Sequence, residues 1–256
     1  MFRRRFIIAS SKKVEVISGM LDVAFDFRTD TREGYDPDKF SKTLKRYHQV
    51  LWSKELPNGE MMKLEASRNR LYYLTWKDFD FGSDSIIVEL QYERYKHITD
   101  MVKKKVDDYD AYYEELKKKS YTIGGMIIFP KHNNSINQEK GRNRKISDRW
   151  DLTLECIRRY YNGEASPMSK VIESDKAFFD LFVSFKGYVD FFFLQDCVSE
   201  DYSEVDIWCG DATFEKSGLP ETIDDYFEFI QKEHAFLDKR NERIKEWSIL
   251  KDQKSI

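Results

Sequence analysis

Residues 122–130 read Thr122-Ile123-Gly124-Gly125-Met126-Ile127-Ile128-Phe129-Pro130. The run carries no charge and is rich in β-branched and aromatic side chains, the content of a buried strand. It is far short of the roughly 18 apolar residues that cross a bilayer. Its glycine pair points to a bulge or to close approach by another group. Downstream, residues 131–146 read as a polar loop. Ser147 is placed to cap a helix over 148–161, with Trp150, Leu154, Ile157 and Tyr161 at helical spacing.

Working outward, the pattern predicts further elements. Strands are expected at 14–17, 23–27, 60–65 and 71–76. Helices are expected at 42–53 (capped by Ser41), 97–119 and 166–186, with a final helix or helix pair at 221–247. Residues 86–90 fit either a strand or a buried helix. The aromatic segment 178–194 has almost no interleaved Lys or Arg, which makes it core rather than a base-stacking surface. No repeat and no linker divides the chain. The expected fold class is α+β: a single domain over 20–256, with a mixed or antiparallel sheet flanked by helices. Residues 1–19, with five basic residues and one acidic, read as an N-terminal arm, an added strand or an upstream extension before Met20.

The chain has 256 residues, and its 19 Phe, 15 Tyr and 5 Trp can fill a large core, which excludes disorder. A net charge of −3 argues against a general nucleic-acid coat. The charge is unevenly spread. Residues 131–149 hold six basic and two acidic residues, whereas 199–233 hold eleven acidic and two basic. Cys156, Cys197 and Cys209 form no CxxC pair, so free thiols and a cytoplasmic location are expected. No export signal and no membrane segment are expected.

Two blocks carry a resemblance. The first is Phe25-Asp26-Phe27-Arg28-Thr29-Asp30-Thr31, Asp36-Pro37-Asp38, Tyr47-His48, Leu51-Trp52-Ser53-Lys54 and Leu56-Pro57-Asn58-Gly59. The second is Ile123-Gly124-Gly125-Met126, Phe129-Pro130, Ile136-Asn137-Gln138 with Gly141, and the run from Ile146 through Arg149 and Asp151 to Arg159. The chain thereby resembles a family of bacterial proteins catalogued as a domain of unknown function, over most of 20–210. The resemblance brings no activity with it. It favours a start near Met20.

There is no P-loop, no GxGxxG after a strand, no HExxH, no GxSxG and no Cys-His metal spacing. Three weaker constellations stand out. Arg28 and Asp30 follow a predicted strand, where Arg28 has the planar fork that clamps a phosphate and Asp30 can orient it or act as a base. The bland reading is an Arg–Asp pair fixing a loop. His48 is a candidate general base near neutral pH, or else a packed histidine at the core edge. Asp36-Pro37-Asp38 offers carboxylates to a hard cation, or simply a turn.

The third constellation is richest. Asn137, Gln138, Gly141, Arg142, Arg144 and Lys145 lead into the helix after Ser147, a setting that suits phosphate. Asp151 and Glu155 lie four apart on that helix, and paired carboxylates can hold a divalent metal beside a phosphate. An ordinary salt-bridged helix is the competing reading.

The leading expectation is a nucleotide- or nucleic-acid-phosphate-directed protein, with enzyme and plain binding roles both left open. His48, Asp30 and Glu155 are its candidate catalytic residues, and Arg28, Asn137, Arg142 and Arg149 its candidate phosphate ligands. Arg28, Arg142 and Arg149 are expected to converge on one anion, unless a buried carboxylate replaces it. The alternative is a non-catalytic interaction module with an acidic surface at 199–233.

Overall fold

A computed structural model describes residues 21–68, 70–86 and 96–253. The predicted arm 1–19, the strand at 14–17 and most of 86–90 lie outside the described residues. The chain folds as an α+β domain around a four-stranded antiparallel sheet, order β1-β2-β3-β4, with strands β1 (Glu65–Ala66), β2 (Leu74–Trp76), β3 (Phe79–Ser85) and β4 (Met126–Pro130). The antiparallel one of the two expected sheet types is therefore present. β2 and β3 form a tight hairpin whose Lys77 turns at φ 51°, with Trp76 and Phe79 stacked across it. β3 pairs with β4 over five positions, from Phe81 opposite Pro130 to Ser85 opposite Met126. Every residue of β4 is buried, as its apolar sequence requires.

β3 is the strand that patterning misses. Gly82-Ser83-Asp84-Ser85 lies where no element is expected from sequence, yet each residue has a β4 partner, and Ser83 and Asp84 have polar partners of their own. The strand expected at 23–27 is instead a series of turns. The carboxylates of Asp22 and Asp26 accept from Ala24 N and Arg28 N, two residues on, which competes with ladder pairing.

Ten helices are present among the described residues. α1 (Pro37–Phe40) and α2 (Lys42–Trp52) start at caps: Ser41 accepts from Leu44 N at 3.0 Å. The predicted 97–119 helix is two, α3 (Lys96–Lys103) and α4 (Tyr109–Ser120), because the Asp108 carboxylate accepts from Ala111 N and starts a new helix. The 131–146 loop contains α5 (Ile136–Arg142). α6 (Trp150–Tyr161) starts at Arg149, and Ser147 turns back to Arg144 O instead of capping. The 166–186 segment breaks into α7 (Ser169–Ser174), α8 (Lys176–Phe179) and a short 3₁₀ turn. Val183 at φ 67° ends that run, and Ser184 caps α9 (Phe185–Phe191). α10 (Ile223–Gln253) is one long helix. No helix among the described residues is long and apolar enough to cross a membrane.

The 178–194 aromatics form the hub of the core. The Phe178 ring meets Phe79, Phe81, Phe129, Phe179, Phe182 and Phe192 within 6.4 Å. Trp52 brings α2 onto the same hub through Phe191, Phe192 and Phe193. Such ring pairs add about 0.5–1.5 kcal/mol each beyond area burial.

The glycine pair explains itself at this level. A Cβ on Gly125 would lie 2.1 Å from Ser120 O, and one on Gly124 would lie 2.7 Å from Asn241 and 2.8 Å from Leu237 O. Gly125→Ala is expected to cost about 3 kcal/mol in urea unfolding, through enforced displacement of packed backbone. Gly163 lies at φ 71° with nothing near its Cβ position. Gly163→Asn, which tolerates that backbone, should change stability by less than about 1 kcal/mol.

Candidate functional site

The structure engages most of the predicted site residues locally. Arg28 donates through Nε and Nη2 to Asp26, with Nη2 to Oδ2 at 2.6 Å, and through Nη1 to Glu114 Oε2 at 3.0 Å. Its hydrogen bond to Asp26 raises the guanidinium pKa further. Asp30 does not pair with Arg28. It accepts from Ser41 Oγ at 2.6 Å and Thr43 N at 2.8 Å, at the start of α2.

His48 is 2% exposed and its ring is fully engaged. Trp52 Nε1, which can only donate, gives its hydrogen to His48 Nδ1 at 2.9 Å. The remaining hydrogen therefore sits on Nε2, 3.0 Å from Ser83 Oγ. Burial, with the charge of Arg240 second, pushes the imidazole pKa down to about 3. His48 is a neutral link between α2 and β3.

Arg149 is 3% exposed and Asp151 is fully buried. Their guanidinium and carboxylate form a two-pronged pair. Arg149 also donates to Gly218 O at 2.8 Å and Cys209 O at 2.9 Å, while Asp151 Oδ2 accepts from Trp208 N at 2.8 Å. The pair clasps the 208–218 segment to α6. Burial pushes the Glu155 carboxyl up, but hydrogen bonds from Arg158 and Arg159 outweigh it and hold the pKa below its usual value. Asp151 and Glu155 thus each serve arginines. Asn137 accepts from Ser135 Oγ in the first turn of α5, and Arg142 is exposed at the other end.

Arg28 and Arg149 line separate clefts. Arg28 faces a groove of about 540 Å³ with Arg32, Tyr35 and Lys117. Arg149 walls a recess of about 190 Å³ beside Cys209 and Gly218. Neither guanidinium needs an external anion, because Asp26 with Glu114 and Asp151 already supply one.

The structure assembles a different constellation where β4 ends. A cleft of about 710 Å³ is lined by Arg70, Tyr73, Lys131, His132, Gln138 and Asp175, among others. His132 Nε2 lies 2.7 Å from Asp175 Oδ1, and Nδ1 donates to Asn133 O at 2.8 Å. The imidazole is 42% exposed while the carboxylate is 6% exposed. Burial lowers the affinity of His132 for its proton, but hydrogen bonds to Asp175 and Asn133 outweigh it and raise the pKa. Burial also raises the Asp175 pKa against the pull of His132. Each group thus binds a proton more readily than it does in water.

Lys131 joins this cleft to a seam of buried charge. Its stem crosses β3 at Gly82, where a Cβ would lie 3.2 Å from Lys131 Cδ. Burial lowers its pKa, and Asp84, Lys39, Asp38 and Asp36 are in charge range. Behind it Lys140, 3% exposed, meets Asp148 Oδ1 at 2.8 Å, Asp84 Oδ2 at 3.2 Å and Ser85 O at 3.0 Å. Asp148 and its neighbour Ser147 sit in left-handed backbone at φ 65° and 52°. Asp148 is held there by N–H donation to Lys140 O at 2.8 Å. Such backbone costs of order 1 kcal/mol or more per residue and persists where surroundings impose it. Burial, then the charges of Asp36 and Asp84, pushes Asp38 up to about 8.

His132, Asp175 and Lys140 are what sequence reasoning missed. The available signal was position: Lys131-His132 directly follows the buried strand, where sites on a rigid scaffold lie. Asp175 stands 43 residues from His132, a separation that carries no motif.

Two consequences are measurable. Lys140→Met strands the Asp84 and Asp148 carboxylates and should cost about 3–5 kcal/mol near neutral pH. The deficit should shrink as the pH falls and the Asp84 carboxyl, whose pKa burial raises, takes up a proton. Asp38 has a folded-state pKa above its ordinary 3.8. Its contribution is thus fully present below pH 3.8 and is lost as pH rises through about 8. Urea midpoints between pH 6 and 9 should decline in the native chain and flatten in Asp38→Asn.

No curated protein and no solved structure matches the chain. One family does, over residues 21–244. The chain belongs to the family described as a family of unknown function, DUF6994.

Proposed function

We propose that this protein is a phosphate-directed enzyme that acts on a nucleotide or nucleic acid in the cleft at the end of β4. The observation that carries the reading is the His132–Asp175 pair, one member exposed and one buried, 2.7 Å apart and open to a cleft rimmed by Lys131 and Arg70. Asn133 O and Asp175 fix the ring, and the buried carboxylate favours its protonated form. With Asp175 holding Nε2–H, the Nδ1–H of the protonated imidazole leaves Asn133 O for the leaving oxygen of a phosphate ester as water attacks the phosphorus, general-acid chemistry worth roughly 10²–10⁴ in rate. Lys131 and Arg70 supply charge to the anion, Arg70 by loosening its 3.5 Å contact with Asp80.

A cytoplasmic location and a bacterial setting belong to the same proposal. Three buried free thiols, Cys156, Cys197 and Cys209, suit a reducing compartment. The alternative of an interaction module draws on exposed carboxylates such as Glu200, Glu204, Glu215 and Glu221. Glu233, the last acidic residue of the 199–233 stretch, is 1% exposed and belongs to the core.

The test is ligand binding followed through the His132 imidazole. Inorganic phosphate and a nucleoside monophosphate should shift the His132 NMR resonances and raise its titration midpoint. Lys131→Ala should weaken both ligands about tenfold. His132→Gln should abolish turnover of phosphate esters with the fold retained. Absence of any ligand-linked shift at His132 would reject the cleft as the site.

A further inference from the structure

The groove on the far side of α5 supplies the substrate class. Its volume is about 700 Å³, and Asn143, Arg144, Lys145, Arg159, Phe214 and Glu215 line it. The lining holds three cations against one carboxylate. Arg144 and Lys145 are exposed and have no ion-pair partner among the described residues, and the same holds for Arg142 just before them. This separates them from Arg28 and Arg149, whose charges are answered within the chain.

The cations are displayed from a fixed backbone. Gly218 N donates to Arg144 O at 3.0 Å, and Lys145 N donates to Asn143 Oδ1 at 3.1 Å. Gly218 can approach because it has no side chain: a Cβ there would lie 2.7 Å from Ile146 O and 2.8 Å from Lys145 O. The groove wall is a stacked pair, the Arg159 guanidinium 4.8 Å from the Phe214 ring centroid. Arg159 is held in that plane by Glu155 and by Ala212 O at 2.8 Å. A guanidinium plane locked over a ring is a surface on which a nucleobase stacks.

The two recesses flank one short helix. Gln138 lines the His132 cleft and Asn143 lines the groove. Five residue steps along the chain separate them, roughly 7–8 Å at about 1.5 Å per helical residue. A mononucleotide fills one recess, whereas a polynucleotide backbone reaches both.

We propose that the groove of Arg144, Lys145 and Arg159, with Arg142 beside it in the chain, binds the phosphate backbone of a single-stranded nucleic acid whose neighbouring phosphate enters the His132 cleft. The link to the cleft rests on the function proposed above, while strand binding in the groove does not. Three unpaired cations predict that the affinity falls with salt at a slope near −2 on logarithmic axes, at about −0.7 per neutralised phosphate for single strands.

The experiment uses the full chain, fluorescently labelled oligouridylate and oligothymidylate, and anisotropy titrations at several salt concentrations. Binding of either oligonucleotide with that slope is expected, and comparison of the two separates RNA from DNA. Arg144→Glu with Lys145→Glu should weaken it at least about tenfold and flatten the slope, with an unchanged unfolding midpoint. The same double variant should bind inorganic phosphate at the cleft as the native chain does. His132→Gln should leave oligonucleotide affinity within about twofold. Loss of phosphate binding with strand binding retained rejects the cleft reading and keeps the groove. Strand binding indifferent to the charge reversal, no strand binding, or equal competition by polyglutamate overturns the groove proposal.

Discussion

A single buried guanidinium organises this fold. Arg240, on α10, is fully buried and donates to Gly124 O at 2.6 Å, Met126 O at 2.9 Å and Phe192 O at 3.1 Å. Three carbonyls from two distant segments thus converge on one side chain. Burial pulls its pKa down to about 9, which still leaves it charged at neutral pH. Carbonyl dipoles do the work a carboxylate would do elsewhere. The long helix is thereby locked to the start of β4 and to the aromatic hub at once. Neighbouring Asn241 strengthens the lock, accepting from Gly124 N at 2.7 Å and donating to Thr122 Oγ1 at 3.0 Å. The space for this approach exists only because residue 124 has no side chain.

That constraint reaches the site through the strand. Once the first residues of β4 are fixed, its five-residue ladder with β3 fixes Pro130, and Lys131 N extends the ladder to Asp80 O at 2.7 Å. His132 follows immediately. Asp175 reaches it from the junction of α7 and α8, which the Phe178 hub holds against the sheet. The candidate site therefore stands on the rigid part of the molecule, although its residues lie in loops. The charge of Arg240 also acts at a distance, helping keep His48 neutral.

The apolar strand at 126–130, the helix over 42–52 with its Ser41 cap and the buried 178–194 aromatics were legible, because each is written in local pattern. β3 was not, because Ser83 and Asp84 are polar for reasons outside their own strand: one meets His48, the other Lys140. The arginines show the same limit. A guanidinium read along the chain looks available for phosphate, but its availability depends on what the fold places opposite it. Asp26 lies two residues from Arg28 and Asp151 two from Arg149, so both partners were close in sequence. Pairing two residues apart is not the spacing that helix rules search for. Arg142, Arg144 and Lys145 are exposed and have no ion-pair partner among the described residues.

The two histidines at the sheet show how environment, not residue type, assigns a role. His48 and His132 each have both ring nitrogens engaged. His48 receives from a tryptophan and faces a serine, neutral groups that hold one tautomer and leave no reason to ionise. Its burial removes water, which disfavours the charged form further. His132 has a carboxylate on one nitrogen, a carbonyl on the other and solvent over the ring. Those acceptors stabilise two N–H groups, hence the imidazolium. Asp175 retains a second oxygen with no hydrogen-bond donor, and its own pKa is raised by burial. The acceptors around the ring therefore keep the proton on the imidazole more firmly than in a free histidine. An incoming phosphate oxygen at the exposed edge of the ring changes that balance, whereas nothing that enters the cleft reaches His48. The proposed site accordingly lies past Pro130, at the opposite end of β4 from the carbonyls that Arg240 holds.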